Sequence, residues 1–197
     1  MLIIVRHGRT ALNAQGRLQG RVDAELDDVG QRQAVAIAQV LHRQLGEWAL
    51  VVSSPLARAR QTAAAFGTEV RIDERWIELD YGTLDGLAVG DVPDETWRRW
   101  RDDPTFAPEG GESHHDLHRR VRQACADLAD LARHNHVVVV THVSPIKSAA
   151  GWAMGLAQAV PWRGFVEQAS ITRIGVDDQG PVLRSFSETA HLIEPMW

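Results

Sequence analysis

One cysteine, Cys125, stands among 197 residues, so no disulfide forms within the chain and nothing points to secretion. Long apolar runs are missing as well. The first apolar stretch, residues 2–5, is four residues long and runs straight into Arg6, so no secretory leader is expected and no segment is long enough to span a bilayer. There is no basic excess: 21 Lys and Arg face 26 Asp and Glu, for a net charge of −5, which argues against a general nucleic-acid binder. Internal repeats, low-complexity tracts and linkers are absent. So is a Gly-x-Ser-x-Gly elbow, which argues against a serine hydrolase. What is left is ordinary globular composition, 44% apolar and 24% charged, in a chain long enough for one domain over 1–197 with a real core. The cytoplasm is the default location.

The pattern that is present alternates strands with helices. Leu2-Ile3-Ile4-Val5 reads as a buried strand that ends in Arg6-His7-Gly8. Residues 11–29 read as a loop. Asp27 caps a helix over about 28–45, whose residues Ala34, Ile37, Ala38, Leu41 and Leu45 share one face, and Gly46 ends it. A strand over 49–53 follows, and then Ser54-Pro55 reads as an N-cap with proline at the first helical position. Val70 to Ile72 is a short strand. Residues 76–111, with their turns, tryptophans and a short helix near 93–101, form a cap-like excursion off the sheet. Ser113 and Asp116 start a long helix with Leu117, Val121, Ala124, Leu128 and Leu131 as its stripe and Cys125 beside it. Val137 to Val140 is an unbroken apolar strand, expected to be central, and ends in Thr141-His142. Pro145 opens a helix to about 155, and 170–176 pairs with 181–187 as a hairpin. The sum is an α/β protein: a three-layer α/β/α sandwich around a mostly parallel sheet.

In such sheets ligands sit beyond the C-terminal ends of the strands. Two strands here end in histidine, His7 and His142, and two arginines, Arg6 and Arg58, belong to the same edge. Arginine's planar fork matches phosphate oxygens, and a helix start adds free N–H groups, so the edge reads as an anion site. Nearby arginines disfavour a protonated histidine. A neutral imidazole there has two jobs open to it: nucleophile toward phosphorus, or hydrogen-bond donor to the phosphate.

The ordered motifs Arg6-His7-Gly8-x-Thr10, Leu26 to Ala34, Ser53-Ser54-Pro55-Leu56-Ala57-Arg58, Glu78 to Gly86, Gly110-Gly111-Glu112-Ser113 and Val139 to His142 together resemble the histidine phosphatase superfamily, which has the phosphoglycerate-mutase-like fold. The resemblance covers nearly the whole chain. It implies that His7 attacks phosphorus and carries a phosphohistidine, that Arg6, Arg58 and His142 bind the phosphoryl oxygens, and that Glu78 gives a proton to the leaving oxygen. It implies substrate contacts from Thr10, Asn13, Gln19, Gly20, Tyr81 and Val143. No metal and no organic cofactor is needed for that route. The chain departs from the family at Arg9, where an acidic residue or Gln is common, and at Val143, where Gly is common. His142-Val143-Ser144-Pro145-Ile146-Lys147 resembles the ribazole-phosphatase type of member.

The resemblance favours a phosphatase acting on a small phosphorylated metabolite. Mutases of this fold carry a longer basic insertion after the catalytic acid, though Tyr81 is a residue they share, so a mutase is the second reading. A phosphate-binding module without turnover is the third. His114 and His118, four apart on a helix, lack a third metal ligand and read as a solvated face, as does Lys147. The selectivity surface is expected in the excursion: Tyr81, Trp97, Trp100, Arg98, Arg99 and Arg101, with Trp76 contributing, and its arginines favour an anionic substrate. Exposed tryptophans, Trp197 among them, permit a homodimer.

Overall fold

The structure, a computed structural model, describes residues 1–156 and 162–192; Trp197 lies outside the described residues. Six strands form one sheet: β1 (Leu2–Arg6), β2 (Leu50–Ser53), β3 (Val70–Ile72), β4 (Val137–Thr141), β5 (Ile171–Asp177) and β6 (Gly180–Glu188), in the order β3-β2-β4-β1-β5-β6. The first four are mutually parallel; β5 runs antiparallel to β1 and makes the expected hairpin with β6. The all-valine run of β4 is buried on both faces, between β1 and β2, as its unbroken hydrophobicity predicts.

Helices cover both faces, and strand alternation sorts the core between them. Leu2, Ile4, Val137 and Val139 face α5 (His114–His134) and α6 (Val143–Ala153), with Cys125 buried among Leu117, Val121 and Leu128. Ile3, Val5, Val138 and Val140 face α2 (Asp28–Leu45) and α3 (Ala57–Ala64). None of the described helices is long and apolar enough to cross a membrane.

Helix starts are where the chain departs from its sequence reading. Residues 11–29 are not all loop: Ala11–Ala14 form α1, because Thr10 and Asn13 close a reciprocal capping box. The helix expected at Ser54-Pro55 begins only at Ala57; Ser54 Oγ accepts from Leu56 N–H at 3.4 Å and from His142 Nε2 at 2.7 Å. Its first amide, Ala57 N–H, donates to Asp23 Oδ1 at 2.6 Å, so the protein's own carboxylate occupies a helix end read as an anion site. Conversely α6 starts two residues before Pro145, which falls in the first turn where a missing N–H costs nothing.

The excursion holds a short helix, α4 (Asp94–Asp102), over a small core of Leu18, Val92 and Trp100. Trp76 does not belong to a selectivity surface: it is fully buried in the main core against the α5 side of the sheet. Trp100 is likewise buried, and so is not part of an exposed tryptophan face.

Candidate active site

Parallel register aligns the ends of three strands. Arg6 is paired with Thr141 and Ser53 with Val140, so His7, Ser54 and His142 leave the sheet side by side. The His7 and His142 rings lie 5.0 Å apart between centroids. The turn after β1 crosses the start of α2 at a distance only glycine allows: a Cβ on Gly8 would meet Gly30 O at 2.4 Å, and one on Gly30 would meet Arg9 O at 2.1 Å. Thr62 ties this turn to α3, accepting from Gly8 N–H at 3.0 Å and donating to Arg58 O at 2.8 Å.

His7 is buried, and its Nδ1 lies 2.7 Å from Gly8 O. A carbonyl only accepts, so Nδ1 carries the proton and Nε2 keeps the lone pair. Burial first, then the charges of Arg58 and Arg6, hold the imidazole well below its usual range, so it is neutral at pH 7. The residue behind it, Ala169, has φ of 57° and donates its N–H to His7 O at 3.2 Å, a strained support at the site.

Arg58 is fully buried. It donates to Val22 O (2.7 Å), Gln19 O (3.0 Å), Gly20 O (2.9 Å) and His142 Nδ1 (3.2 Å). Burial pulls it down to about 10, still charged at neutral pH. Because His142 Nδ1 accepts, its Nε2 carries the proton and donates to Ser54 Oγ; burial and then Arg58 hold this ring neutral also. Arg6 donates to Val166 O at 2.7 Å, while its Nε and the Nε2 of Gln19 are buried polar atoms without a partner among the described residues. Arg6, His7, Gln19, Asn13 and Glu78 all line one cavity of about 310 Å³. Two orphaned N–H donors beside a neutral imidazole, in a cavity with arginine charge behind it, are the fittings of an anion pocket.

Glu78 is buried rather than an exposed loop residue. Its carboxylate accepts from Val143 N–H (3.1 Å) and Ser144 N–H (3.1 Å), the two first-turn amides that Pro145 leaves at the head of α6, and from Leu79 N–H (2.8 Å). Sequence reasoning missed its main brace. Arg120 of α5 donates to Arg75 O (2.6 Å), Ile77 O (2.8 Å) and Glu78 O (3.2 Å), and forks onto Glu112 at 2.7 and 2.8 Å. Only the Gly-Glu-Ser motif that carries Glu112 hinted at it.

Other expected residues fall elsewhere. Thr10 is buried as the cap of α1, with Oγ1 2.8 Å from Gln19 Oε1 and its N–H donating to Asn13 Oδ1 at 3.2 Å, so it reaches the cavity through Gln19 and Asn13 rather than lining it. Gly20 stands behind the wall: a Cβ there would lie 2.5 Å from Leu79 O, and its carbonyl serves Arg58. Tyr81 and Val143 line the cavity. Burial, then the charge of Glu78, pushes the Tyr81 phenol up, so it stays protonated. Arg9 pairs with Asp27 at 2.7 Å. Arg98, Arg99 and Arg101 line neither this cavity nor its neighbour, because Arg98 pairs with Glu95 and Arg99 sits 4.0 Å over the Phe106 ring. Lys147 is not a solvated lysine; it lines the cavity, and burial lowers its ammonium. Nor is His118 on a solvated face: it is buried with Nδ1 2.7 Å from Ser148 Oγ. No cluster of metal ligands exists among the described residues.

Comparison with known proteins agrees with this fold. Residues 2–189 match the histidine phosphatase superfamily (branch 1), and the chain belongs to that family. It is 32% identical over 201 residues to phosphoserine phosphatase 1 of Hydrogenobacter thermophilus, covering 98% of this chain and 94% of that protein. It is 30% identical over 208 residues to a probable phosphoglycerate mutase of Yersinia enterocolitica, covering 98% and 95%. A solved mycobacterial glucosyl-3-phosphoglycerate phosphatase superposes with a TM-score of 0.84 at 34% identity, covering 95% and 98%. A bifunctional protein of Mycobacterium tuberculosis is 38% identical over 178 residues, and there the chain spans only 49% of the relative's length.

Proposed function

We propose that this protein is a phosphomonoesterase for a small phosphorylated metabolite, working through a phosphohistidine on His7. The observation that carries the reading is the state of that side chain. It is buried and neutral, its Nδ1 proton is committed to Gly8 O, and it shares a cavity with the unpartnered donors of Arg6 and Gln19. His7 Nε2 attacks phosphorus, the P–O bond to the alcohol breaks, and the Glu78 carboxyl delivers its proton to the leaving oxygen. Arg6, which lines the cavity, steadies the phosphoryl oxygens directly; Arg58, held rigid by its four hydrogen bonds, adds charge from behind the wall, and His142 turns its Nε2 proton from Ser54 Oγ to a phosphoryl oxygen when substrate enters. Water then attacks phosphorus and yields its proton to Glu78; the P–N bond breaks, and its electron pair returns to His7. Arginine charge does the work that a metal ion does in other phosphatases, so turnover is expected to survive a chelator. Asn13, Gln19, Tyr81 and Val143 contact substrate, Thr10 and Gly20 support them, and the enzyme acts in the cytoplasm without nucleic acid or membrane.

Phosphate release from an aryl phosphate, a sugar phosphate, ribazole phosphate and 3-phosphoglycerate, with chelator present and beside His7→Ala, tests this. Release that vanishes in the variant supports the route; release that persists in it overturns the route. The mutase named among the relatives favours a second reading, phosphoryl transfer between substrate positions. Interconversion of phosphoglycerates without net phosphate release would select it. Binding of phosphoesters with no turnover would select a binding module.

A further inference from the structure

Beside the anion cavity lies a second one of about 170 Å³, and the two share Tyr81, Val143 and Lys147. Its walls are aromatic. Trp100 forms the buried back, with Tyr81 edge-on at 5.6 Å and Trp97 at 5.4 Å. Trp162 and His114 close the far side, Trp162 edge-on to Trp97 at 6.0 Å and to His114 at 5.7 Å. Trp162 is 39% exposed although its ring leans on others, so aromatic surface is kept open to solvent at the mouth. Among the described residues no carboxylate and no arginine lines this cavity. His114 is pulled down to about 4, chiefly by burial and then by Lys147, and is neutral at pH 7. The one charge is Lys147, on the boundary with the anion cavity.

Size, shape and charge choose among leaving groups. A dry cavity of about 150 Å³ is known to hold benzene, so 170 Å³ admits one planar ring system. Tryptophan faces carry negative potential and favour flat partners stacked or edge-on, while offering nothing to a carboxylate or a second phosphate. The excursion arginines that would serve a doubly anionic substrate line neither cavity. We propose that the Trp97–Trp100–Trp162 slot is the leaving-group subsite and takes a flat, uncharged ring on the alcohol side of the phosphomonoester. The inference rests on the phosphomonoesterase reading above and adds the class of substrate to it.

The test compares esters whose leaving alcohols are chemically alike: ethyl, 2-phenylethyl and 2-cyclohexylethyl phosphate. Burial of one ring raises kcat/KM for 2-phenylethyl over ethyl phosphate about ten- to hundredfold. The cyclohexyl ester gains less. Trp97→Ala and Trp162→Ala reduce the phenyl-to-ethyl ratio at least about fivefold, and Trp97→Phe retains most of it; a ratio is unaffected by loss of folded enzyme. A wild-type ratio near one, an equal gain for cyclohexyl, or a ratio that survives both alanine variants overturns the proposal. If none of these esters and none of the four phosphoesters above turns over, the phosphomonoesterase reading fails; whenever the three esters are silent, binding of 2-phenylethanol by ligand-observed NMR decides on the slot. Binding lost in Trp97→Ala supports it, and no binding to the wild-type chain overturns it.

Discussion

Replacing Arg120 with methionine separates support of Glu78 from support of the fold. The guanidinium makes five hydrogen bonds, three to the carbonyls of residues 75, 77 and 78 and two to Glu112. Breaking a buried ion pair costs about 3–5 kcal/mol. The side chains here are 18% and 16% exposed, so water reaches the orphaned groups and the expected cost falls to about 2–3 kcal/mol. For a chain of this size that lowers Tm by about 5–10 °C. The catalytic consequence is selective. With its backbone unbraced, Glu78 protonates a poor leaving group less well, so kcat/KM for ethyl phosphate drops about ten- to hundredfold. For p-nitrophenyl phosphate, whose leaving oxygen needs no proton, the drop is under about threefold. Calorimetry and parallel steady-state kinetics read both effects. Arg120→Lys recovers part of the stability but not the fork. Equal losses on both esters would refute the positioning argument and leave Arg120 a fold residue only.

Gly30→Ala drives a Cβ against Arg9 O, backbone that cannot swing aside, and is expected to cost about 1–3 kcal/mol with weakened phosphate binding, read by denaturant melts and titration calorimetry. Both buried histidines are held neutral when folded but return to about 6.5 when unfolded, so the unfolded chain gains protons that the native state refuses as pH falls. Stability is therefore full above pH 6.5 and falls as pH drops below it toward the lowered folded-state values, by at most about 1.4 kcal/mol per pH unit per histidine. Urea titrations at pH 7.5, 6 and 5 that show no such slope would contradict neutral His7 and His142. Alanine at Arg98, Arg99 and Arg101 together is expected to leave the preference between mono- and bisphosphorylated esters unchanged, because none of the three lines either cavity; a shift in that preference in competition kinetics would disagree.

Periodicity made most of the scaffold legible. The stripe from Ala34 to Leu41 set α2, the valine run set β4 at the centre, and the turn at 177–180 joined β5 to β6. The strand-end rule brought Arg6, His7 and His142 to one edge because parallel register needs no knowledge of side chains. What escaped depends on long-range partners. Ser54 reads as a local cap only, and the fold adds His142, 88 residues on, as a second partner of its hydroxyl. Lys147 and His118 read as solvated because the lengths of α5 and α6 alone do not say which neighbour covers them. Arg120 looks like any helix arginine until the chain delivers three carbonyls to it. Tryptophans likewise divide by packing: Trp76 went to the core, and Trp97 and Trp162 to a slot.

The central claim is covalent chemistry at His7, and trapping the intermediate tests it most directly. Glu78→Gln cannot activate water, while p-nitrophenyl phosphate needs no proton to leave, so that pair should halt the cycle after phosphoryl transfer. Mass spectrometry after rapid quench at alkaline pH is expected to find one acid-labile phosphoryl group on the peptide that carries His7, and none in Glu78→Gln combined with His7→Ala. A stoichiometric burst of p-nitrophenol with no phosphoryl group on that peptide, or undiminished turnover by His7→Ala alone, would contradict the account.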